Sequence, residues 1–206
     1  MKHIALVLLI GLALSLCNLS ERFKKSSSSS GSSTSVSDNE ASPERGVATA
    51  AQAAALAGGK EAKWDRQGMS FTVPAGWTET TNEAKVFTWR SPGAGAANLI
   101  VNISPMDETF PVDVSIKAFY DGAKTRAKNG EVDELKWVEI DGLKGVQFRE
   151  ANPEKGDDHR RLQWLAYRKY LGQVQMVNLM LASEGKDFER HKDAMYGILY
   201  STKITH

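Results

Sequence analysis

The sequence predicts an α+β domain, on three observations: short apolar or alternating runs bounded by turn residues, two stretches with apolar residues at helical spacing, and two hairpin dipeptides, Asp141-Gly142 and Leu171-Gly172. A strand over Ser70 to Val73 stops at Pro74-Ala75-Gly76, a turn that presents Trp77. Ala84 to Arg90 carries Val86, Phe87 and Trp89 and breaks at Ser91-Pro92-Gly93. Asn98 to Ile103 alternates Leu99, Val101 and Ile103 against Asn98, Ile100 and Asn102, and is expected to end at Ser104-Pro105. Val112, Ile116, Phe119, Tyr120, Ala123 and Ala127 then draw one apolar helical stripe. Pro111 or Asp113 starts that helix and Asn129-Gly130 stops it, while Lys124, Arg126 and Lys128 complement its dipole. Leu135 to Ile140 and Leu143 to Arg149 flank Asp141-Gly142, and residues 151–158 form a polar loop. Arg161 to Tyr170 and Gln173 to Ala182 flank Leu171-Gly172; the second has apolar residues on both faces, which marks a central strand. Phe188, Met195, Ile198 and Leu199 mark a last amphipathic helix. Three strands, a helix, four strands and a helix, joined by hairpins, make a mainly antiparallel sheet with helices packed on it.

This domain is expected over residues 63–206. Ahead of it, residues 1–16 read as a signal peptide: Lys2 and His3, then an apolar run from Ile4 to Leu16. As a helix the run reaches roughly 20 Å, short of a hydrocarbon core of about 30 Å. The tetrapeptide Leu14-Ser15-Leu16-Cys17 resembles a bacterial lipoprotein box, although Leu16 stands where Gly, Ala or Ser is usual. The resemblance implies that Cys17 is lipidated, becomes the new N-terminus, and anchors the protein to a bacterial membrane on its extracytoplasmic side. Plain secretion after Ala13-Leu14-Ser15 and an uncleaved anchor are the alternatives. Residues 17–62 read as a lipidated, disordered tether. The serine tract from Ser26 to Ser37 has almost nothing to bury, and Ala48 to Gly59 is an alanine-rich frayed helix or linker. As a coil the tether spans about 35–40 Å.

Composition removes several functions. With 26 Lys+Arg against 25 Asp+Glu, the chain lacks the basic footprint of a nucleic-acid binder. One cysteine excludes an intramolecular disulfide and a multi-cysteine zinc cage. His159, His191 and His206 form no closely spaced pair, and Glu154, Asp157 and Asp158 lack the spacing of a calcium loop, so no metal or cofactor is expected. No Gly-x-Ser-x-Gly elbow is present, and Gly93-Ala94-Gly95 lacks the lysine and helix of a phosphate cradle. Trp89, Trp137, Trp164, Tyr167 and Tyr170 read as core in preference to a docking face, with Trp164 and Tyr167 on opposite sides of their strand. Arg160, Arg161, Arg168 and Lys169 read as a basic edge that protects the sheet from aggregation.

The strand ending in Pro74-Ala75-Gly76-Trp77, the central amphipathic helix, the Gly142-Leu143-Lys144-Gly145 hairpin and the last helix closing on Ser201 together resemble the PsbP-like/DcrB family, over roughly Ala62 to Thr205. The resemblance implies an α-β-α sandwich and a non-enzymatic accessory or binding role, and it carries over no catalytic position. The expected function is therefore a membrane-tethered extracytoplasmic accessory or binding domain with an envelope protein as partner. A small-molecule carrier with a cavity between sheet and helix is the alternative, and a hydrolase assembled from distant residues is the third reading.

Overall fold

The computed structural model describes residues 34–205, so the expected signal peptide, Cys17, the first part of the expected tether and His206 lie outside the described residues. Within that range the elements are β1 (Ser35–Val36), β2 (Glu44–Arg45), α1 (Ala50–Ala54), β3 (Lys60–Trp64), β4 (Met69–Val73), β5 (Thr78–Asn82), β6 (Val86–Arg90), β7 (Asn98–Met106), α2 (Val112–Lys128), β8 (Val132–Ile140), β9 (Leu143–Glu150), β10 (His159–Tyr170), β11 (Gln173–Glu184), α3 (Gly185–Tyr200) and β12 (Lys203–Ile204). The main sheet runs β1-β8-β9-β10-β11-β7-β6-β5, with β2 also on β8; β12-β4-β3 form a second, small sheet. All pairings are antiparallel except those of β1 and β2 with β8.

Side-chain alternation along the strands divides the core in two. One face of the main sheet packs Leu99, Val101, Trp164, Leu179 and Leu181 against α3 and the small sheet. The other face packs Leu135, Trp137, Val146, Phe148 and Leu165 against α2, through the predicted stripe of Ile116, Tyr120, Ala123 and Ala127. Helix α2 begins after Pro111 and ends at Asn129, and Asp141 and Gly142 both adopt positive φ in their hairpin. The result is the mixed α+β sandwich expected, a mainly antiparallel sheet with a helix on each face. Trp64, Trp77, Trp89, Trp137 and Trp164 are all buried, and Trp164 and Tyr167 belong to opposite faces.

Three expectations need correction. Strand β7 does not stop at Ser104-Pro105 but runs to Met106, still paired with β11. The amide of Ile103 points toward the β6 side, and two residues on Pro105 faces the same way, beyond the end of β6, where no ladder bond is lost. Arg160, Arg161, Arg168 and Lys169 lie at the two ends of β10, an inner strand that pairs with β11 throughout and with β9 over Leu162–Ala166, so they mark no outer edge of the sheet; Arg160 and Arg168 are buried.

The third correction concerns residues 34–62, expected as part of a disordered tether. Strands β1 and β2 pair with β8, and α1 has a complete capping box between Thr49 and Gln52. Leu56 packs into the core, and the backbone oxygen of Gln52 approaches Gly197 of α3 so closely that a Cβ there would lie 2.7 Å from it. Ala62 on β3 is 1% exposed. Small residues and backbone pairing hold this stretch, and neither registers as hydrophobic content.

Candidate functional site

A cleft of about 310 Å³ opens between the 44–52 segment, the sheet and α3. Its walls are built by alternation. On β8, Leu135 and Trp137 face α2, so Glu134 and Lys136 face α3. A bulge in the β8–β9 ladder between Val132 and Glu134 lets Asp133 and Glu134, adjacent in sequence, both reach partners on the α3 side. Gln147 and Arg149 of β9 join them, and α3 contributes Lys192, Tyr196 and Tyr200, four residues apart on one helical face.

These groups are linked by hydrogen bonds. Tyr196 Oη donates to Glu134 Oε2 (2.9 Å), Gln147 Nε2 donates to Glu134 Oε1 (2.5 Å), and Tyr200 Oη donates to Gln147 Oε1 (3.0 Å). Arg149 Nε donates to Asp133 Oδ1 (2.7 Å), and Lys136 Nζ lies 3.3 Å from Glu44 Oε2. Arg45 makes no side-chain hydrogen bond or ion pair among the described residues, and it lies on the rim of both this cleft and an adjoining hollow. Burial, with the Glu134 carboxylate beside it, pushes the Tyr196 hydroxyl far above the ordinary tyrosine range, and burial likewise raises Tyr200. Burial works against the charge on Lys136, but Tyr200, Glu134 and Glu44 more than offset it and its pKa rises. The tyrosines stay neutral and the lysine stays charged, so each is driven away from the near-neutral pKa that a proton-transfer group needs. The arrangement is a hydrogen-bonded set of mixed charge, with Lys136, Arg149 and Lys192 each paired to a carboxylate.

A second network lies across the sheet, on the α2 side. Glu150 Oε1 accepts from Arg126 Nη2 (2.8 Å) and Arg161 Nη2 (2.5 Å), and its Oε2 accepts from Arg161 Nε (3.0 Å). Burial pushes the Glu150 carboxyl up, but the bonds from Arg161 and Arg126 outweigh it and hold the group below the usual glutamate range. A carboxyl whose folded pKa is depressed stabilises fully above the unfolded value, near 4.5, and loses that contribution as pH falls through the folded value. The melting temperature is therefore expected to fall on acidification below pH 4.5, and Glu150→Gln to flatten that fall. Parallel pH–melting curves for the two proteins would contradict the assignment.

The other residues singled out in the sequence are dispersed. His159 starts β10 at the surface, and His191 Nε2 lies 2.9 Å from the Gly95 carbonyl, which Arg190 also contacts. Asp157 Oδ1 accepts from Lys186 Nζ at 2.5 Å, and no group of three potential metal ligands occurs among the described residues. Gly76 adopts φ +82° in the turn before buried Trp77, so the turn and the core account for both. Arg168 donates to Gln175 and Gln67 and stacks 4.3 Å from the Tyr170 ring, while its Nη1 has no hydrogen-bond partner among the described residues. The cleft itself escaped the sequence reading. The Lys192, Tyr196, Tyr200 spacing on α3 and the Glu134, Lys136 alternation on β8 are the signals that point to it, but neither says that these two faces meet.

No protein-family model matches the sequence, and no curated protein matches it. Among solved structures, LpqN, involved in cell envelope biogenesis of Mycobacterium tuberculosis, superimposes with a TM-score of 0.52 at 12% identity, over 72% of this chain and 86% of that chain. Cyanobacterial PsbP (CyanoP) from Synechocystis sp. PCC 6803 gives 0.45 at 14% identity, over 71% of this chain and 92% of that one. The Ran-binding protein Mog1p of Saccharomyces cerevisiae gives 0.42 at 10% identity, over 71% and 95%. With LpqN the chain shares the fold.

Proposed function

We propose that this chain is a lipid-anchored, extracytoplasmic accessory domain that binds a partner in the bacterial cell envelope and performs no catalysis. The use of its buried and half-buried ionisable groups carries the reading. Arg149, Arg160 and Glu150 are each matched by opposite charges, and the cleft tyrosines and Lys136 are shifted away from neutrality, which suits recognition and not proton transfer. The apolar leader ending at Cys17 supports the anchor, and the shared fold with an envelope-biogenesis protein accords with that location.

Replacing Cys17 by Ser tests the anchor directly. The variant is expected to leave the membrane fraction and to lose metabolic labelling by an alkynyl palmitate. Retention in the membrane with undiminished label would overturn lipidation at this residue. A second reading, a carrier of a small anionic molecule, is favoured by one observation: the cleft between sheet and helix is lined by Arg45, Lys136, Arg149 and Lys192 against Glu44 and Glu134.

A further inference from the structure

The outer edge of β8 is covered by the chain's own N-terminal segment, in two short pieces. Ser35 and Val36 lie opposite Glu134 and Leu135, and Glu44 and Arg45 opposite Val138 and Glu139, all parallel. Ser37 N donates to Leu135 O (2.9 Å), and Gly46 N donates to Glu139 O (2.8 Å). Between the two pieces, residues 38–43 leave the edge, and no strand among the described residues lies across from Lys136 and Trp137 on that side.

Side chains on this strap follow one rule: each of three acids meets a lysine from a different element of the body. Asp38 Oδ2 is 2.7 Å from Lys124 Nζ of α2, Glu40 Oε1 is 3.6 Å from Lys144 Nζ of β9, and Glu44 Oε2 is 3.3 Å from Lys136 Nζ of β8. Tyr120 Oη adds a hydrogen bond to Asp38. Tyr120 Oη also donates to Ser37 O (2.9 Å), and Gly46 approaches Ile140 and Tyr200 so closely that a Cβ would lie 3.0 Å from each, but the rest of the strap is lightly held. Both of its strands are exposed, Val36 is 41% and Val47 67% exposed, and ion pairs of this exposure contribute about 0–1 kcal/mol each. A segment with so few buried contacts opens at a lower free energy than the whole domain unfolds.

We propose that the β8 edge, flanked by Lys124, Lys136 and Lys144, is a docking site for an acidic extended peptide of a partner protein, and that residues 35–45 occupy it in the free protein as an internal stand-in. Sheet edges recruit extended chains through main-chain hydrogen bonds, with flanking side chains setting the choice of sequence. The three lysines supply that choice, since their present partners are all carboxylates. A continuous strand would also pair across Lys136 and Trp137, where the strap arches away, and so gain bonds that the strap does not make. This deepens the binding role proposed above and rests on it, while the anchor is independent of it.

The test uses the full chain with Asp38→Asn, Glu40→Gln and Glu44→Gln combined, which loosens the strap without introducing a cationic side chain. The probe is a fluorescein-labelled peptide with the sequence of residues 34–46, together with a copy carrying lysine at its three acidic positions. By anisotropy, the acidic peptide is expected to bind the triple variant at least about tenfold more tightly than the unmodified chain. Adding Lys124→Glu, Lys136→Glu and Lys144→Glu should abolish binding, and the lysine peptide should not bind. Equal affinity for variant and unmodified chain, or equal binding of the two peptides, would overturn the proposal. Should the variant fail to fold, hydrogen exchange at the Ser37 and Gly46 amides of the unmodified chain decides: saturating acidic peptide should accelerate or redistribute it, and unchanged exchange refutes displacement. Either failure leaves the membrane release of Cys17→Ser intact, so the two readings fail separately.

Discussion

Arg160→Ala is expected to destabilise the domain by about 3–5 kcal/mol, or roughly 6–20 °C in melting midpoint. The Arg160 side chain is 2% exposed and donates in three directions: Nε to Glu150 O (2.7 Å), Nη1 to Glu189 Oε1 (2.8 Å) and Nη2 to Asp133 Oδ2 (2.7 Å). Its guanidinium lies 4.3 Å from the Phe188 ring, which ties the start of α3 to the sheet. Truncation leaves the Asp133 carboxylate, itself 11% exposed, with Arg149 as its remaining ion-pair partner, and leaves the Glu150 carbonyl without this donor. Glu189→Gln removes a partner that is 57% exposed and should cost under about 1 kcal/mol. Arg160→Lys should recover little, because an ammonium cannot reproduce the planar three-way fork. Urea titration with an unchanged slope distinguishes these outcomes; similar losses for Arg160→Ala and Glu189→Gln would show that the buried network does not hold the domain together.

Deleting residues 34–62 should lower the midpoint by roughly 6–12 °C, whereas deleting 34–47 alone should change it by only a few degrees. The shorter deletion removes the exposed strap. The longer one also removes α1, the packing of Leu56, and most of β3, which pairs Lys60 through Trp64 with Val73 through Met69. Without that strand Trp64 loses the backbone support that stacks it 5.4 Å from Phe87 and directs its Nε1 to Glu83 O at 2.8 Å. Equal melting of the two deletions would mean that the domain begins after residue 62, as composition alone suggests.

Much of the architecture was legible from periodicity. The α2 stripe, the two hairpins and the central position of β11 depend on local rules: 3.6-residue spacing, positive φ at Asp141-Gly142, and apolar residues on both faces of one strand. What escaped was decided at a distance. Strand β5, Thr78–Asn82, has no apolar face, and it exists because β6 offers it a ladder. The strap and α1 are made of serine, alanine and acids, and are ordered by the β8 edge and by the close approach to Gly197. The pairing of Asp133 with Arg160 and Arg149 on the α3 side required the bulge before Glu134, a register shift with no signature in the strand's own residues.

The sequence by itself determined the α+β class, the order of its main elements, and which tryptophans form the core, because burial follows from apolar patterning along a single element. Only the tertiary structure decided where the domain starts, which arginines are buried, and that a cation-lined cleft and an acid-covered sheet edge lie side by side. Those depend on which charges end up opposite one another, and charge pairing between residues far apart in the chain leaves no periodic trace in either partner.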